Sequence, residues 1–312
     1  MKRWSGVFPA TTTQFDREGR LDVSATQRVV DALIRDGVHG IICMGTVGEN
    51  CSLQADEKRT VLAAVREVAA GRVPVIAGVA ECTTQLAIDF ARDSERAGAD
   101  GLMVLPAMVY RSNRRETLYH FRSVAGGTGL PIMLYNNPVT YGVDVTVEMF
   151  HELAPVKNIV AIKESSEDTR RLTDLINAFG DRFVLFAGVD DIVLESLMLG
   201  AEGWVSGLTN AFPRESVALF ALAKAGRYEE ARKLYRWFMP LLHLDTVPTL
   251  VQCIKLAEQL MGRGSEAVRA PRLTLEGAER AAVERIVREA VAHRPKLPAD
   301  LDTLTARTAH GR

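Results

Sequence analysis

Three stretches of the 312-residue chain end an apolar run on residues that can do chemistry. In NIVAIKESSED (158–168) a lysine, Lys163, stands inside a run of Val, Ile and Ala. Strand alternation would put Ala161 and Lys163 on one face and Ile162 and Glu164 on the other. Turned toward an apolar interior, the ammonium is desolvated, its pKa falls toward neutrality, and the free amine becomes a nucleophile for a carbonyl carbon. The structural alternative is a lysine that snorkels out at the strand end or pairs with Glu164. PIMLYN (131–136) ends on Tyr135, a phenol that could carry a proton or simply form an amphipathic rim. GTVGEN (45–50) follows a third run. Gly45 and Gly48 permit tight turning, successive backbone N–H groups there could hold a carboxylate, and Thr46 adds a hydroxyl. A plain strand-to-helix turn is the other reading.

The elements that would carry these residues repeat. Eight apolar runs occur at 6–13, 40–45, 74–80, 101–106, 131–136, 158–164, 183–189 and 203–208. Nearly continuous Val/Ile/Leu runs read as parallel strands covered on both faces. Amphipathic segments such as 23–37, 56–71 and 83–98 lie between them, each ending on glycine as a helix C-cap does. Eight such units count out to a closed (β/α)8 TIM barrel, whose active site lies at the C-terminal ends of the strands. No Gly-rich dinucleotide fingerprint follows the first run, which weakens a doubly wound alternative. After residue 210 only helices remain, with Pro240 and Pro248 interrupting them. The expected organisation is a barrel over 1–222, helices packed on it over 223–294, and a frayed tail over 295–312.

Composition narrows the function classes. Lys plus Arg number 38 and Asp plus Glu 39, so there is no electrostatic footprint for nucleic acid or an anionic membrane. Cys43, Cys51, Cys82 and Cys253 form no C-x-x-C pair and match no zinc spacing. Free thiols fit a reducing, cytoplasmic setting. The first residues lack the apolar core of a signal peptide, and no apolar run is long enough to span a bilayer.

Together, GVFPATTTQFD, GTVGEN, LYNNP, AIKES and FAGVDD make the chain resemble the dihydrodipicolinate synthase / N-acetylneuraminate lyase family of class I aldolases, from the first strand through VRAPRLTL. The resemblance implies a lyase without metal or organic cofactor. Lys163 would form an imine with a 2-oxo acid, and Tyr135 would shuttle protons. Thr46 would orient Tyr135, and the Thr46–Val47 backbone N–H groups would take the substrate carboxylate. It also implies that Tyr110 completes a neighbouring subunit's site in a homotetramer built as a dimer of dimers.

The sequence departs from the synthase pattern at several of these positions. Val47 replaces a threonine, and Thr140 stands where synthases carry an arginine. Ser165 follows the lysine where synthases have alanine and neuraminate-lyase-like members a hydroxyl. Asp190 and Asp191, after Gly188, fall where sugar-acid lyases contact substrate hydroxyls, or they cap a helix. Ser165 and Ser166 could likewise cap a helix near Glu167. The first expectation is therefore a hydroxylated or 3-deoxy 2-oxo sugar acid, cleaved or dehydrated. Authentic 4-hydroxy-tetrahydrodipicolinate synthase, using pyruvate and aspartate semialdehyde, is the second, with Arg111 or Arg114 able to supply the missing charge. A catalytically silent keto-acid-binding barrel is the third.

Overall fold

The computed structural model describes residues 4–107 and 110–309. Eight strands alternate with helices: β1 (Gly6–Pro9), α1 (Val23–Arg35), β2 (Ile41–Cys43), α2 (Ala55–Ala69), β3 (Val75–Val79), α3 (Thr84–Arg96), β4 (Gly101–Val104), α4 (Arg114–Gly126) and β5 (Ile132–Asn136). A one-turn helix, α5 (Pro138–Tyr141), precedes α6 (Val147–Leu153), β6 (Ile159–Glu164), α7 (Arg170–Phe179), β7 (Val184–Ala187), α8 (Val193–Met198), β8 (Gly203–Ser206) and α9 (Pro213–Lys224). Four more helices follow: α10 (Tyr228–Leu242), α11 (Leu250–Leu260), α12 (Gly277–Ala292) and α13 (Leu301–Ala309).

The strands are all parallel, in the order β1-β8-β7-β6-β5-β4-β3-β2. A parallel bridge from Ala10 to Ile42 brings β1 back to β2 and closes a TIM barrel. Alternation along each strand sorts the core into two layers. Phe8, Ile42, Ile76, Met103, Met133, Ala161, Phe186 and Val205 fill the barrel, while Leu134, Ile162 and Leu185 pack outward against the helices. Gly40 and Gly203 lack side chains because a Cβ would fall 2.1 Å from the Phe8 and Phe186 rings, respectively.

The added helices do more than cover the barrel. Lys255 of α11, fully buried, donates to the Thr13 carbonyl at 2.8 Å and to Glu49 Oε1 at 2.9 Å. Beside it, Glu258 accepts from the Thr12 hydroxyl at 2.8 Å. A charge pair withdrawn from water this far is tolerable only with such complete bonding. It ties α11 across the C-terminal mouth of the barrel.

Two expectations change here. Pro240 does not interrupt a helix; it lies in the last turn of α10, close enough to the end that the lost N–H costs only one bond. The segment expected to fray, 295–312, contains α13, which buries Leu301 and Leu304. Its two apolar residues at i and i+3 suffice to dock it. No helix among the described residues is long and apolar enough to cross a membrane.

Candidate active site

At the C-terminal ends of the strands lies a cavity of about 460 Å³, lined by Thr46, Val47, Tyr135, Asn137, Thr140, Tyr141, Lys163, Ser165, Gly188 and, from the helical extension, Asp245, Thr246, Val247, Leu250 and Arg272. Lys163 is 7% exposed, on the interior face of β6 with Ala161. Glu164 points the other way. Its carboxylate accepts from Asn136 Nδ2 at 3.0 Å and the Ser166 N–H at 2.7 Å, so it leaves Lys163 unpaired. Burial holds the Lys163 pKa below the ordinary lysine value, against the nearby Tyr141, Asp245 and Asp190. A deprotonated amine facing an open cavity is a nucleophile.

Tyr135 and Lys163 are register partners on β5 and β6. The amine lies 3.8 Å from the centroid of the Tyr135 ring. Burial pushes the Tyr135 phenol up to about 12, against the Asn137 amide that donates to its oxygen at 3.1 Å. At neutral pH it is therefore a proton donor.

The partner expected for Thr46 was Tyr135. The structure shows another: the Thr46 hydroxyl bonds the Tyr141 hydroxyl. The one-turn helix α5, started by Pro138 and ended by Gly142 at φ 69°, turns the Tyr141 ring back over the cavity, edge-on to Tyr135 at 5.7 Å. Tyr141 was absent from the sequence-based set because nothing in NNPVTYG tells which way a side chain leaves so short a helix.

Met44, just before the GTVGEN turn, and Glu49, within it, are both at positive φ, which is uncommon for residues with side chains. Glu49 is held by Lys255 and by the Arg269 N–H at 3.0 Å. A Cβ on Gly48 would meet Met44 N at 2.8 Å. The Thr46 and Val47 N–H groups have no partner among the described residues and stand at the cavity wall, a ready seat for a carboxylate.

Ser165 lines the cavity with a buried hydroxyl that has no partner among the described residues. It does not cap a helix, and neither does Ser166: α7 starts only at Arg170. Gly188 is required by this arrangement, since a Cβ there would lie 2.0 Å from Ser165 Oγ and 2.8 Å from Lys163 Cγ. Thr140 reaches the cavity.

Two placements differ from expectation. Asp190 is fully buried behind the wall, bonded to Trp204, Ser206 and Leu208. Asp191 turns outward to His243 at 2.9 Å. Neither lines the cavity, and neither side chain caps the short 3₁₀ turn they begin. Tyr110 is 59% exposed and stands away from its own chain's cavity. The arginine that lines the cavity is Arg272; Arg114 is engaged with Glu152, and Arg111 packs on Gly142. Among the described residues no group of three His, Cys, Asp or Glu side chains could hold a metal.

The profile described as the Dihydrodipicolinate synthetase family matches residues 3–290. A 4-hydroxy-tetrahydrodipicolinate synthase of Methanothrix thermoacetophila is 34% identical over 267 residues, covering 85% of this chain and 90% of its own. Among solved structures, dihydrodipicolinate synthase from Aquifex aeolicus superposes with a TM-score of 0.88 at 28% identity, covering 92% of this chain and 98% of its own. A prophage protein of the dihydrodipicolinic acid synthase family from E. coli K12, in complex with pyruvate, gives 0.87 at 28% identity and covers 92% and 99%.

Proposed function

Because the chain belongs to the dihydrodipicolinate synthetase family, whose members are lyases working through a lysine imine, we propose that Lys163 is the imine-forming residue and that a hydroxylated 2-oxo acid is its substrate. The carrying observation is the desolvated, unpaired Lys163 amine standing over Tyr135 in the cavity. In this reading the substrate carboxylate sits on the Thr46 and Val47 N–H groups. Tyr135 protonates and deprotonates the reacting atoms. Asn137 and the Thr46–Tyr141 pair hold the phenols in place. Tyr110 reaches the cavity of a neighbouring protomer in a homotetramer.

The second substrate group decides between the two enzymatic readings. The relatives' names favour the synthase, in which pyruvate condenses with aspartate semialdehyde. Arg272 also favours it: it lines the cavity without an ion-pair partner among the described residues and could meet a second carboxylate. The inner wall favours a hydroxylated acid. Thr140 offers a neutral hydroxyl where that carboxylate would want a planar, charged fork. Ser165 offers an unpartnered hydroxyl beside Lys163. A site built to bond a substrate hydroxyl rejects analogues without it by about 10⁴–10⁵.

A panel of 2-oxo-3-deoxy acids assayed beside pyruvate plus aspartate semialdehyde separates the readings. Turnover of a panel member, with the semialdehyde slow, is the expected result. A kcat/KM for the semialdehyde above about 10⁴ M⁻¹s⁻¹, with no panel member turned over, would establish the synthase instead.

A further inference from the structure

The roles assigned so far leave Asp245 without one. It ends the 3₁₀ turn His243–Asp245 between α10 and α11 and faces the same cavity as Lys163. Asp190 stands behind it. The Asp190 carboxylate accepts from Trp204 Nε1 at 2.8 Å, Ser206 Oγ at 2.9 Å and the Leu208 N–H at 3.1 Å. Asp245 receives one long bond, from the Gly207 N–H at 3.4 Å. Bonds from the consecutive residues 206–208 thus set the two carboxyl groups side by side.

Two carboxyl groups side by side and withdrawn from water cannot both stay ionised, so the pair holds a proton. Three donors stabilise the negative charge on Asp190, which leaves the proton to Asp245. Burial and the neighbouring Asp190 charge push the Asp245 carboxyl well above the usual carboxylate range. The other titratable groups facing it are the Tyr135 phenol and the Cys253 thiol of α11. Gly207 makes room for the arrangement: a Cβ there would lie 2.3 Å from Asp245 Oδ1. The result is a neutral carboxylic acid, oriented from behind by a fixed carboxylate, with its open side toward the cavity.

We propose that Asp245 is the acid of this site, giving its proton to the oxygen that leaves from C4 of the imine-bound substrate, with Asp190 as its positioning residue. This rests on the imine at Lys163 and on a substrate with a C4 hydroxyl. Tyr135 gives its proton to the hydroxide lost as the iminium forms; as a phenolate it then takes a C3 proton, and the C3 electron pair goes into an enamine. The enamine then forms the C3–C4 double bond and restores the iminium. The C4–O bond breaks, and the oxygen leaves as water with the proton from Asp245. Water that adds to the product iminium gives its proton back to Asp245 as the carbinolamine forms and frees Lys163, so the pair ends as it began. No oxidant or further reactant is needed.

A leaving group that needs no full proton transfer isolates this role. Wild type and Asp245→Asn are compared on 2-oxo-4-hydroxybutanoate, followed by NMR, and on 2-oxo-4-fluorobutanoate, followed by fluoride release. Asp245→Asn should lose the hydroxy substrate by about 10²–10⁴-fold, while fluoride release stays within about threefold and borohydride still traps pyruvate on the protein. Hydroxy turnover within threefold of wild type, an equal fall in fluoride release, or wild-type cleavage to pyruvate and formaldehyde in place of water loss each overturns the proposal. Failure of wild type to trap pyruvate would sink the imine reading instead. Should Asp245→Asn not fold, Ser206→Ala removes one donor from Asp190. The pair then holds its proton more tightly, and the alkaline limb of kcat on the hydroxy substrate should move to higher pH. An unmoved limb overturns the proposal.

Discussion

The Lys163 amine lies 3.8 Å above the face of the Tyr135 ring, and the two residues are neighbours in register on adjacent strands. The ring's electron-rich face favours the ammonium, whereas burial favours the amine; burial prevails, and the lysine pKa falls. Borohydride with pyruvate should therefore add one reduced pyruvyl group at Lys163, and Lys163→Ala should abolish it. Trapping should persist to lower pH than for a solvent-exposed lysine, because less acid is needed to protonate an ordinary amine. Peptide mapping of the adduct to another lysine would overturn the assignment.

Tyr135→Phe removes the phenol but keeps the ring under Lys163. We expect kcat to fall by about 10²–10⁴ with the adduct still forming. Turnover within threefold of wild type would leave Tyr135 only a wall.

The Thr46–Tyr141 bond gives a separate expectation. Thr46→Val and Tyr141→Phe each delete the same interaction, so the double variant should cost little more than either single one. Additive losses in kcat/KM would show that the two hydroxyls act independently.

Gly188→Ala introduces a methyl group 2.0 Å from Ser165 Oγ and 2.8 Å from Lys163 Cγ. The lysine must shift, and displacements of about 1 Å cost on the order of 10²-fold in rate. Far-UV circular dichroism should be unchanged while imine trapping slows. Unaltered trapping kinetics would mean that Lys163 has slack the structure does not show.

Glu258 carries a pH effect on stability. Burial raises its carboxyl to about 7, although Thr12 and Lys255 pull it down. A pKa raised in the folded state contributes stability that is full below the unfolded value and is lost as pH rises through the folded one. Wild type should therefore lose stability relative to Glu258→Gln between about pH 4.5 and 7. Thermal melts of both proteins across that window check the sign; a constant difference would remove Glu258 as the cause.

The barrel was legible in the sequence because fully covered strands are apolar on both faces and glycines mark the helix ends. Lys163 was legible for the complementary reason: a charge inside such a strand needs a purpose. The aspartates after Gly188 were misread because a one-turn 3₁₀ segment has no periodicity from which inward and outward can be told. Asp245 and Arg272 carried no signal at all. Each becomes part of the cavity only when α11 and the segment after it are laid over the barrel mouth, a long-range packing decision made by residues such as Lys255 and Glu258 that look like surface charges in the sequence.

That packing divides the labour of the site between two stretches of chain. The strand ends provide Thr46, Tyr135 and Lys163, whereas Asp245, Thr246, Val247, Leu250 and Arg272 come from one segment of the extension, clasped to the GTVGEN turn by Glu49 and Lys255. Electrophile capture thus lies wholly on the barrel, while reading of the substrate is shared between Thr140 and Ser165 there and this added segment. Exchanging residues 243–272 with those of a relative, while keeping Lys255 as the clasp, should retune which substrate is accepted and leave imine chemistry intact. The barrel would serve as a fixed reaction vessel under an interchangeable lid.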